Sequence, residues 1–118
     1  MEDSRQVYEN VIPQELKTWN WGAFMFNILW GIGNKSYLPL LCFIPIFNII
    51  WIFVCGAKGN EWAWKNGDYS SVDEFKKVQA TWNRAGLASF ILAIVVVVIY
   101  FVLVVGLTMS IVAAYGQL

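Results

Sequence analysis

The segment Leu87-Ala-Ser-Phe-Ile-Leu-Ala-Ile-Val-Val-Val-Val-Ile-Tyr-Phe-Val-Leu-Val-Val105 decides the class of this protein. It lies within a longer uncharged stretch that covers residues 85–118. About 20 apolar residues in a helix cross a bilayer core of about 30 Å, and this segment comes close to that length on its own. The sequence therefore predicts an integral membrane protein, and the rest of the chain has to be interpreted against lipid as well as water.

The composition agrees with a membrane protein and excludes several functional classes. The residues are 58% hydrophobic and 14% charged, against roughly 25% charged residues in a soluble domain. The formal net charge is zero, so the overall charge predicts no nucleic-acid partner. Histidine is absent, which removes the commonest metal ligand and general base. A chain of 118 residues is expected to form a single domain.

Charge and polarity divide that domain into four predicted parts. They are a polar N-terminal segment, a mostly uncharged helical hairpin, a charged loop with an amphipathic helix, and a transmembrane helix, over residues 1–18, 19–57, 58–85 and 86–115. We expect the hairpin to turn near Asn34 and Lys35. Its second arm, Ser36 to Ala57, is predicted to cross the membrane. Its first arm, residues 19–33, reaches only about 22 Å as a helix, so it is either a short crossing or a re-entrant arm.

Positive charge predicts the orientation, because cytoplasmic loops carry an excess of lysine and arginine. With three crossings, Lys35 lies alone on one side of the membrane. The other basic residues share the opposite side: Arg5, Lys17, Lys58, Lys65, Lys76, Lys77 and Arg84. This favours a cytoplasmic N-terminus and a cytoplasmic 58–85 loop, whereas two crossings would move the N-terminus outside. The acidic, polar start of the chain predicts no cleaved signal peptide.

The charged loop is predicted to contain an amphipathic helix over Ser71 to Arg84. Ser71-Val-Asp-Glu74 has the spacing of a capping box, in which a hydroxyl and a carboxylate satisfy the first backbone donors of a helix. Residues that recur at helical spacing follow it: Val72, Phe75, Val78, Gln79 and Trp82. We expect this helix to lie at the cytoplasmic interface, where it can run on into the last helix without a break.

Three asparagines in the hairpin are candidate functional residues. Asn20 and Asn27 share one predicted helical face, and Asn48 is the strongly polar side chain of the second arm. A buried amide in lipid needs a partner, so the simplest interpretation is an Asn20–Asn48 hydrogen bond that joins the arms. The alternative is a water path or ligand cavity lined by all three amides.

Small residues on the last helix are candidate packing surfaces. Spacings of four residues place them on common faces, where they let helix backbones approach closely. The two groups are Ala85, Ser89 and Ala93, and Gly106, Ser110 and Ala114. A three-helix protein has few internal faces for such groups, so they favour a homo-oligomer.

The segment after the second arm is predicted to be an elbow at the membrane surface. Gly56 and Gly59 are expected to let the chain leave the helix in a left-handed conformation. Glu61 would pair with Lys58 or Lys65, and two tryptophans would lie at the headgroups. The candidate interaction residues of this elbow are Lys58, Glu61, Trp62 and Trp64, and the alternative to a structural elbow is a headgroup-binding or partner-binding site.

Catalytic and metal sites are not predicted. Cys42 and Cys55 lie in an apolar run and are expected to be buried free thiols rather than a disulfide or a metal pair. The loop carboxylates are expected to be solvated. No nucleophile elbow or phosphate-binding loop is present, so we predict neither an enzyme nor a cofactor.

Three motifs carry a resemblance to a known family. They are Trp19-Asn-Trp-Gly-Ala-Phe24, Trp30-Gly-Ile-Gly-Asn34 and Gly56-Ala-Lys-Gly-Asn-Glu-Trp-Ala-Trp-Lys-Asn66. Over roughly residues 13–86 the chain resembles a family of small uncharacterised bacterial membrane proteins. The resemblance implies the cytoplasmic membrane of a Gram-positive bacterium and implies no particular activity.

Together these features predict an all-α integral membrane protein with an apolar helical hairpin, a cytoplasmic amphipathic helix and a long C-terminal transmembrane helix. We expect it to be non-enzymatic and to act through self-assembly or as a subunit of a larger membrane complex. The expected partners are the lipid bilayer and other membrane-protein chains, without nucleic acid. The alternative is a small homo-oligomeric channel or transporter whose path is lined by Asn20, Asn27 and Asn48.

Overall fold

The structure, a computed structural model, describes residues 12–117 and is built from helices. The three α-helices are α1 (Trp21–Gly33), α2 (Phe47–Asn66) and α3 (Val72–Gly116), and short 3-10 helices cover Gln14–Leu16 and Leu38–Phe43. No strand occurs between residues 12 and 117. The all-α prediction is therefore confirmed. Most of the predicted N-terminal segment, including Arg5, lies outside the described residues.

The chain divides into two compact units, of which the first ends at Leu87 and the second comprises Ala88–Leu118. The first unit contains α1, α2, both 3-10 helices and the start of α3. In the second unit, the described residues from Ile91 onward are exposed. Within the described chain, α3 is the one helix that is long and apolar enough to cross a membrane. The prediction of a long apolar C-terminal helix is confirmed, with a start at Val72.

Serine and glutamate side chains cap the start of α3. The Ser71 hydroxyl accepts a hydrogen bond from the Glu74 N–H at 3.1 Å, as the capping-box spacing predicts. In a capping box the Glu74 carboxylate would accept from the Ser71 N–H. Here it accepts instead from the Ser70 hydroxyl and, at 2.8 Å, from the Ser70 N–H. These bonds favour the charged carboxylate and lower the pKa of Glu74.

The prediction that Ser36 to Ala57 forms a single crossing helix is wrong. Leu38–Phe43 is a 3-10 helix with Pro39 in its first turn, and Pro45 lies in the turn before α2. Proline has no N–H for a helical hydrogen bond and its ring clashes with the preceding turn, so the two prolines divide the run. Ile46 then redirects the chain with φ 71°, and α2 begins at the next residue.

The first arm is also interrupted. α1 covers 13 residues, or about 20 Å, and the residues just before it are not α-helical. Asn27 has non-helical angles, φ 2° and ψ −72°, and divides α1 into two halves. Residues 19–33 therefore do not form one continuous helix. The turn predicted at Asn34 and Lys35 is present.

Gly56 and Gly59 lie inside α2, which continues to Asn66, so the predicted elbow at these glycines is wrong. They instead permit a close approach between chain segments. A Cβ added at Gly56 would lie 2.4 Å from the Trp19 ring, and one at Gly59 would lie 2.6 Å from the Ala23 Cβ. The Trp19 ring can shift to relieve the first contact, but the Ala23 Cβ is fixed to the backbone, so α2 needs glycine at Gly59, where the start of α1 crosses it.

A second glycine contact joins α1 to α3. A Cβ added at Gly86 would lie 2.4 Å from the carbonyl carbon and oxygen of Trp21, and one at Gly22 would lie 2.9 Å from the Trp82 carbonyl oxygen. The apolar core of the first unit is small, with these buried members: Leu16, Ala23, Trp30, Cys42, Cys55, Ala63 and Phe75. Backbone contact at glycines is therefore a substantial part of how the helices pack.

Gly86→Ala should destabilise the first unit, because the new methyl group would overlap backbone atoms that cannot rotate away. Overpacking of this kind costs about 2–3 kcal/mol in the free energy of unfolding. Gly106→Ala is the matched control in the same helix, where no neighbouring atom lies within 4 Å of the added Cβ. It should change stability by less than about 1 kcal/mol. Thermal unfolding in detergent micelles, followed by tryptophan fluorescence, tests this, and equal midpoints for the two variants would contradict it.

Candidate functional site

The centre of the first unit is a group of buried amides around Gln79. The Gln79 side-chain oxygen accepts hydrogen bonds from Asn20 Nδ2 at 2.9 Å and from Trp30 Nε1 at 3.1 Å. Its nitrogen donates to Asn34 Oδ1 at 2.7 Å. We call these residues, together with Asn60, the amide cluster. A single side chain of α3 therefore binds residues at both ends of α1.

This arrangement explains the break in α1. Asn20 and Asn34 flank α1 at its two ends, which a straight helix would hold about 21 Å apart. Two asparagine side chains cannot reach one glutamine amide across that distance. The non-helical backbone at Asn27 lets the halves fold toward Gln79, and its Oδ1 accepts from the Ile28 N–H at 2.8 Å to begin the second half.

Asn20 uses its whole side chain within the cluster. Its Oδ1 accepts from the Ala23 N–H at 2.9 Å, which caps α1, and its Nδ2 also donates to Asn60 Oδ1 at 2.7 Å. Asn60 in turn donates to the Thr18 hydroxyl at 3.2 Å and the Thr18 carbonyl at 3.3 Å. The entry to α1 is therefore fixed to α2 and α3 by side-chain amides.

The other end of α1 is held in the same manner. Asn34 Nδ2 donates to the Trp30 carbonyl at 2.8 Å, and the Ser36 hydroxyl donates to the Asn34 carbonyl at 3.1 Å. Asn66 Nδ2, at the end of α2, donates to the Ser36 hydroxyl at 3.3 Å. The turn after α1 is thereby tied to the last residue of α2.

The hydrogen bonds of the amide cluster are satisfied within the first unit. Among the described residues, every buried side-chain nitrogen or oxygen has a hydrogen-bond partner. A fully satisfied polar network in a low-dielectric interior selects one arrangement of the chain over others. In the same part of the chain, no group of three or more Cys, Asp or Glu residues is placed to hold a metal ion. The geometry is that of a structural polar core.

The three predicted asparagines do not form a common site. Asn20 belongs to the amide cluster, Asn27 bonds only to its own helix in the hydrogen bonds described, and Asn48 is half-buried near the start of α2. The predicted Asn20–Asn48 hydrogen bond is wrong, because Asn20 Nδ2 donates to Asn60 and Gln79. Both arms of the hairpin are interrupted, so they do not pair as two continuous antiparallel helices.

The predicted elbow residues lie on α2, and their side chains pair or stack with neighbours in the first unit. Lys58 Nζ lies 3.3 Å from the Glu61 carboxylate, one of the two pairs expected for Glu61. The Trp62 ring stacks on Trp51 with centroids 6.0 Å apart. The Trp64 ring lies parallel to Tyr69, with centroids 6.2 Å apart. Both predicted tryptophans are therefore half-buried parts of the first unit.

Tyr69 packs against other aromatic rings of the first unit near the start of α3. Its ring meets Phe75 edge-on with centroids 4.9 Å apart. Burial raises the pKa of the Tyr69 phenol, the hydrogen bond to Gln79 opposes this shift, and the charge of Glu74 adds to it. The phenol therefore stays neutral at physiological pH, as suits a side chain that packs.

The small residues of the last helix fall into two situations. Ala85 is exposed while the adjacent Gly86 makes the contact with α1, and beyond them Ser89 is half-buried and Ala93 exposed. In the second unit, Gly106, Ser110 and Ala114 are exposed, and the Ser110 hydroxyl donates to the Gly106 carbonyl at 2.9 Å.

The two cysteines match their prediction. Cys42 and Cys55 are buried free thiols, with Sγ atoms 3.9 Å apart. They pack the 3-10 helix Leu38–Phe43 against α2 as small apolar side chains.

Sequence reasoning missed the residues that matter most to this site. Gln79 was recognised as part of a periodic face with Phe75 and Trp82, but its amide was not singled out. An amide in the middle of an apolar helical face is a signal for a buried hydrogen-bond partner. Asn60 was assigned to a loop, which hid its place on the inner face of α2.

Comparison with protein-family models, with curated proteins and with solved structures finds no match to this chain. The function therefore has to be inferred from the geometry of each unit. The first offers a closed neutral polar core, and the second offers an exposed apolar helix.

Gln79→Leu should unfold or severely destabilise the first unit. The change removes the partners of Asn20, Trp30 and Asn34, and each unsatisfied buried group costs about 1–3 kcal/mol. Gln14→Leu makes the same chemical change at an exposed position and should alter the free energy of unfolding by less than about 0.5 kcal/mol. Denaturant unfolding followed by circular dichroism separates the two, and a Gln79→Leu protein of wild-type stability would show that the cluster is dispensable.

Proposed function

We propose that this protein is a non-enzymatic integral membrane protein that acts by assembling with further copies of itself in the bilayer. The observation that carries the proposal is the contrast between a satisfied polar interior and an exposed apolar surface. Buried polar side chains are satisfied within the described chain, whereas large apolar side chains of the second unit are exposed. The protein thus offers apolar surface for contact.

The exposed apolar surface supports an anchoring role for the second unit. Phe101, Val102 and Leu103 each expose more than 60% of their surface, and their neighbours along the helix are similarly exposed. Such a surface is strongly unfavourable in water, and a lipid environment removes the penalty. The uncharged length of this helix is sufficient for one crossing.

The distribution of charge supports an orientation. The basic residues Lys58, Lys65, Lys76, Lys77 and Arg84 precede the apolar part of α3, and no charged residue follows it. By the bias of lysine and arginine toward the cytoplasm, the first unit lies inside and the C-terminal end outside. The multi-pass topology expected from the sequence would also place residues 58–85 in the cytoplasm. The interrupted arms of the hairpin support a single crossing instead. The family resemblance supports a bacterial cytoplasmic membrane as the setting.

One face of the second unit supports self-assembly. Gly106, Ser110 and Ala114 follow one another at spacings of four residues, and in the described chain nothing lies within 4 Å of a Cβ added at Gly106. The Ser110 hydroxyl is already bonded to its own helix, so the face can approach another helix closely without leaving a polar group unpaired. A channel lined by Asn20, Asn27 and Asn48 finds no comparable support, because Asn20 is buried in the amide cluster and the hydrogen bonds of Asn27 are to its own helix.

Gly106→Leu should weaken self-association, because a bulky side chain keeps two helix backbones apart. We expect the dissociation constant in liposomes to rise about tenfold, equivalent to about 1.4 kcal/mol. Val104→Leu is the control, since it adds bulk about 160° away around the helix. Single-molecule photobleaching across protein-to-lipid ratios gives the copy number. A wild-type protein that stays monomeric at every ratio would contradict self-assembly.

The orientation predicts the labelling of two introduced cysteines. Ser70→Cys should resist an impermeant maleimide in intact cells and react after permeabilisation, whereas Gln117→Cys should react in intact cells. The wild-type protein is the blank, because Cys42 and Cys55 are buried. Labelling of Ser70→Cys in intact cells would place the first unit outside.

A further inference from the structure

The first unit ends in an apolar projection formed by residues 41–53, here called the apolar tip. No charged residue lies between Lys35 and Lys58. The large side chains of the tip are exposed, with Phe43 at 71%, Ile46 at 81% and Ile50 at 68%. The other exposed members are Leu41, Ile44, Phe47, Ile49 and Phe53. A soluble surface would not concentrate so many apolar side chains in one place.

The tip supplies carbonyl acceptors for three backbone N–H groups at the start of α2. The first N–H groups of an α-helix have no partner within the helix and are normally hydrated or capped. At the start of α2, Phe47 N–H donates to the Pro45 carbonyl at 2.8 Å, Asn48 N–H to the Ile44 carbonyl at 3.0 Å and Ile49 N–H to the Ile46 carbonyl at 3.2 Å. An exposed turn in water does not need this closure, but a backbone that meets lipid does.

The conformation of Ile46 supports the same environment. Its φ of 71° and ψ of −53° are those of a γ-turn with positive φ, which is rare and strained, and a positive φ is unfavourable for a β-branched residue and favours glycine. An exposed turn in water would use glycine at this position. An isoleucine that accepts this conformation while almost fully exposed is explained if its side chain gains contact with apolar surroundings outside the protein.

The dimensions of the tip limit how deep it can reach. The uncharged run starts at Ser36, which is hydrogen-bonded to Asn66 at the polar end of α2. It returns along α2, whose apolar part from Phe47 to Ala57 is about 16 Å long. This is close to one leaflet of a bilayer core of about 30 Å. Lys58, with a side chain 57% exposed, then begins the charged part of α2.

We propose that the apolar tip is inserted among the acyl chains of one leaflet, on the side of the membrane that holds the first unit. A second copy of the chain is the competing occupant. The exposed side chains of α2 cover an arc of about 160°, and those of the preceding turn widen it. Lipid can cover the turn and this arc of α2 together without a complementary surface, whereas a second copy would need one. The inference rests on the proposed anchoring of the chain in a membrane, and it does not depend on self-assembly.

Spin labels on the full-length protein in liposomes of phosphatidylglycerol and phosphatidylethanolamine test this insertion. Labels at Ile50→Cys and Phe43→Cys report on the tip, Ser70→Cys gives an aqueous reference and Val97→Cys gives a deep reference in the last helix. Collision with oxygen and with a water-soluble nickel chelate measures depth. Wild type treated with the same spin label shows whether the buried native thiols react. Melting curves check that each variant folds.

We expect both tip labels to lose nickel collisions and gain oxygen collisions relative to Ser70→Cys, at a depth shallower than Val97→Cys. Nickel collisions equal to those at Ser70 would place the tip in water and overturn the inference. A depth equal to that at Val97 would mean a crossing arm, and protection from both reagents would mean a protein cover, so either result also overturns it. Failure of wild type to float with liposomes would instead remove the anchoring itself, and with it the proposed function.

Discussion

The fold of the first unit depends on the requirement that buried amides find partners. Gln79 meets this requirement for Asn20, Trp30 and Asn34 at once, within 3.1 Å of each. Because Asn20 and Asn34 flank opposite ends of α1, the helix has to break between them, and it does so at Asn27. The close crossings at Gly56, Gly59 and Gly86 then follow, since the broken helix can reach Gln79 only if its start lies directly on α2 and α3.

Features set by neighbouring residues were predictable, and features set by distant contacts were not. The turn at Asn34 and Lys35, the serine and glutamate at the start of α3 and the apolar run after Leu87 each follow from local chemistry. Gly56 and Gly59 show the limit of such reasoning. A glycine pair suits the end of a helix and a close helix crossing equally well, and the choice depends on Trp19 and Ala23, which are distant in sequence. In the second arm, the backbone geometry of Pro39 and Pro45 decides where helices begin and end, and the apolarity of the run does not.

The site was less predictable than the fold because its signal lies in pairing rather than in residue type. Each asparagine of the sequence is a plausible polar contact, and only the three-dimensional structure shows that Asn20 pairs with Asn60 and Gln79 instead of Asn48. The core is small, so the hydrogen bonds supply much of the specificity that a larger apolar core would supply. A satisfied network of neutral amides is well suited to hold the shape of the first unit.

The two ends of the first unit expose opposite kinds of side chain. One end exposes apolar side chains, which a soluble domain would bury, and the other exposes charged side chains, as a soluble domain does. Amides occupy the interior while Phe43, Ile46 and Ile50 are exposed, yet Lys58, Lys76 and Glu15 are exposed as in water. One solvent cannot favour both surfaces. A boundary between lipid and water would favour both surfaces, with the Pro45 turn facing lipid and the start of α3 facing water. This contrast supports our proposal that the apolar tip is inserted among acyl chains, because the hydrogen bonds at the start of α2 leave fewer backbone groups of the apolar end in need of water.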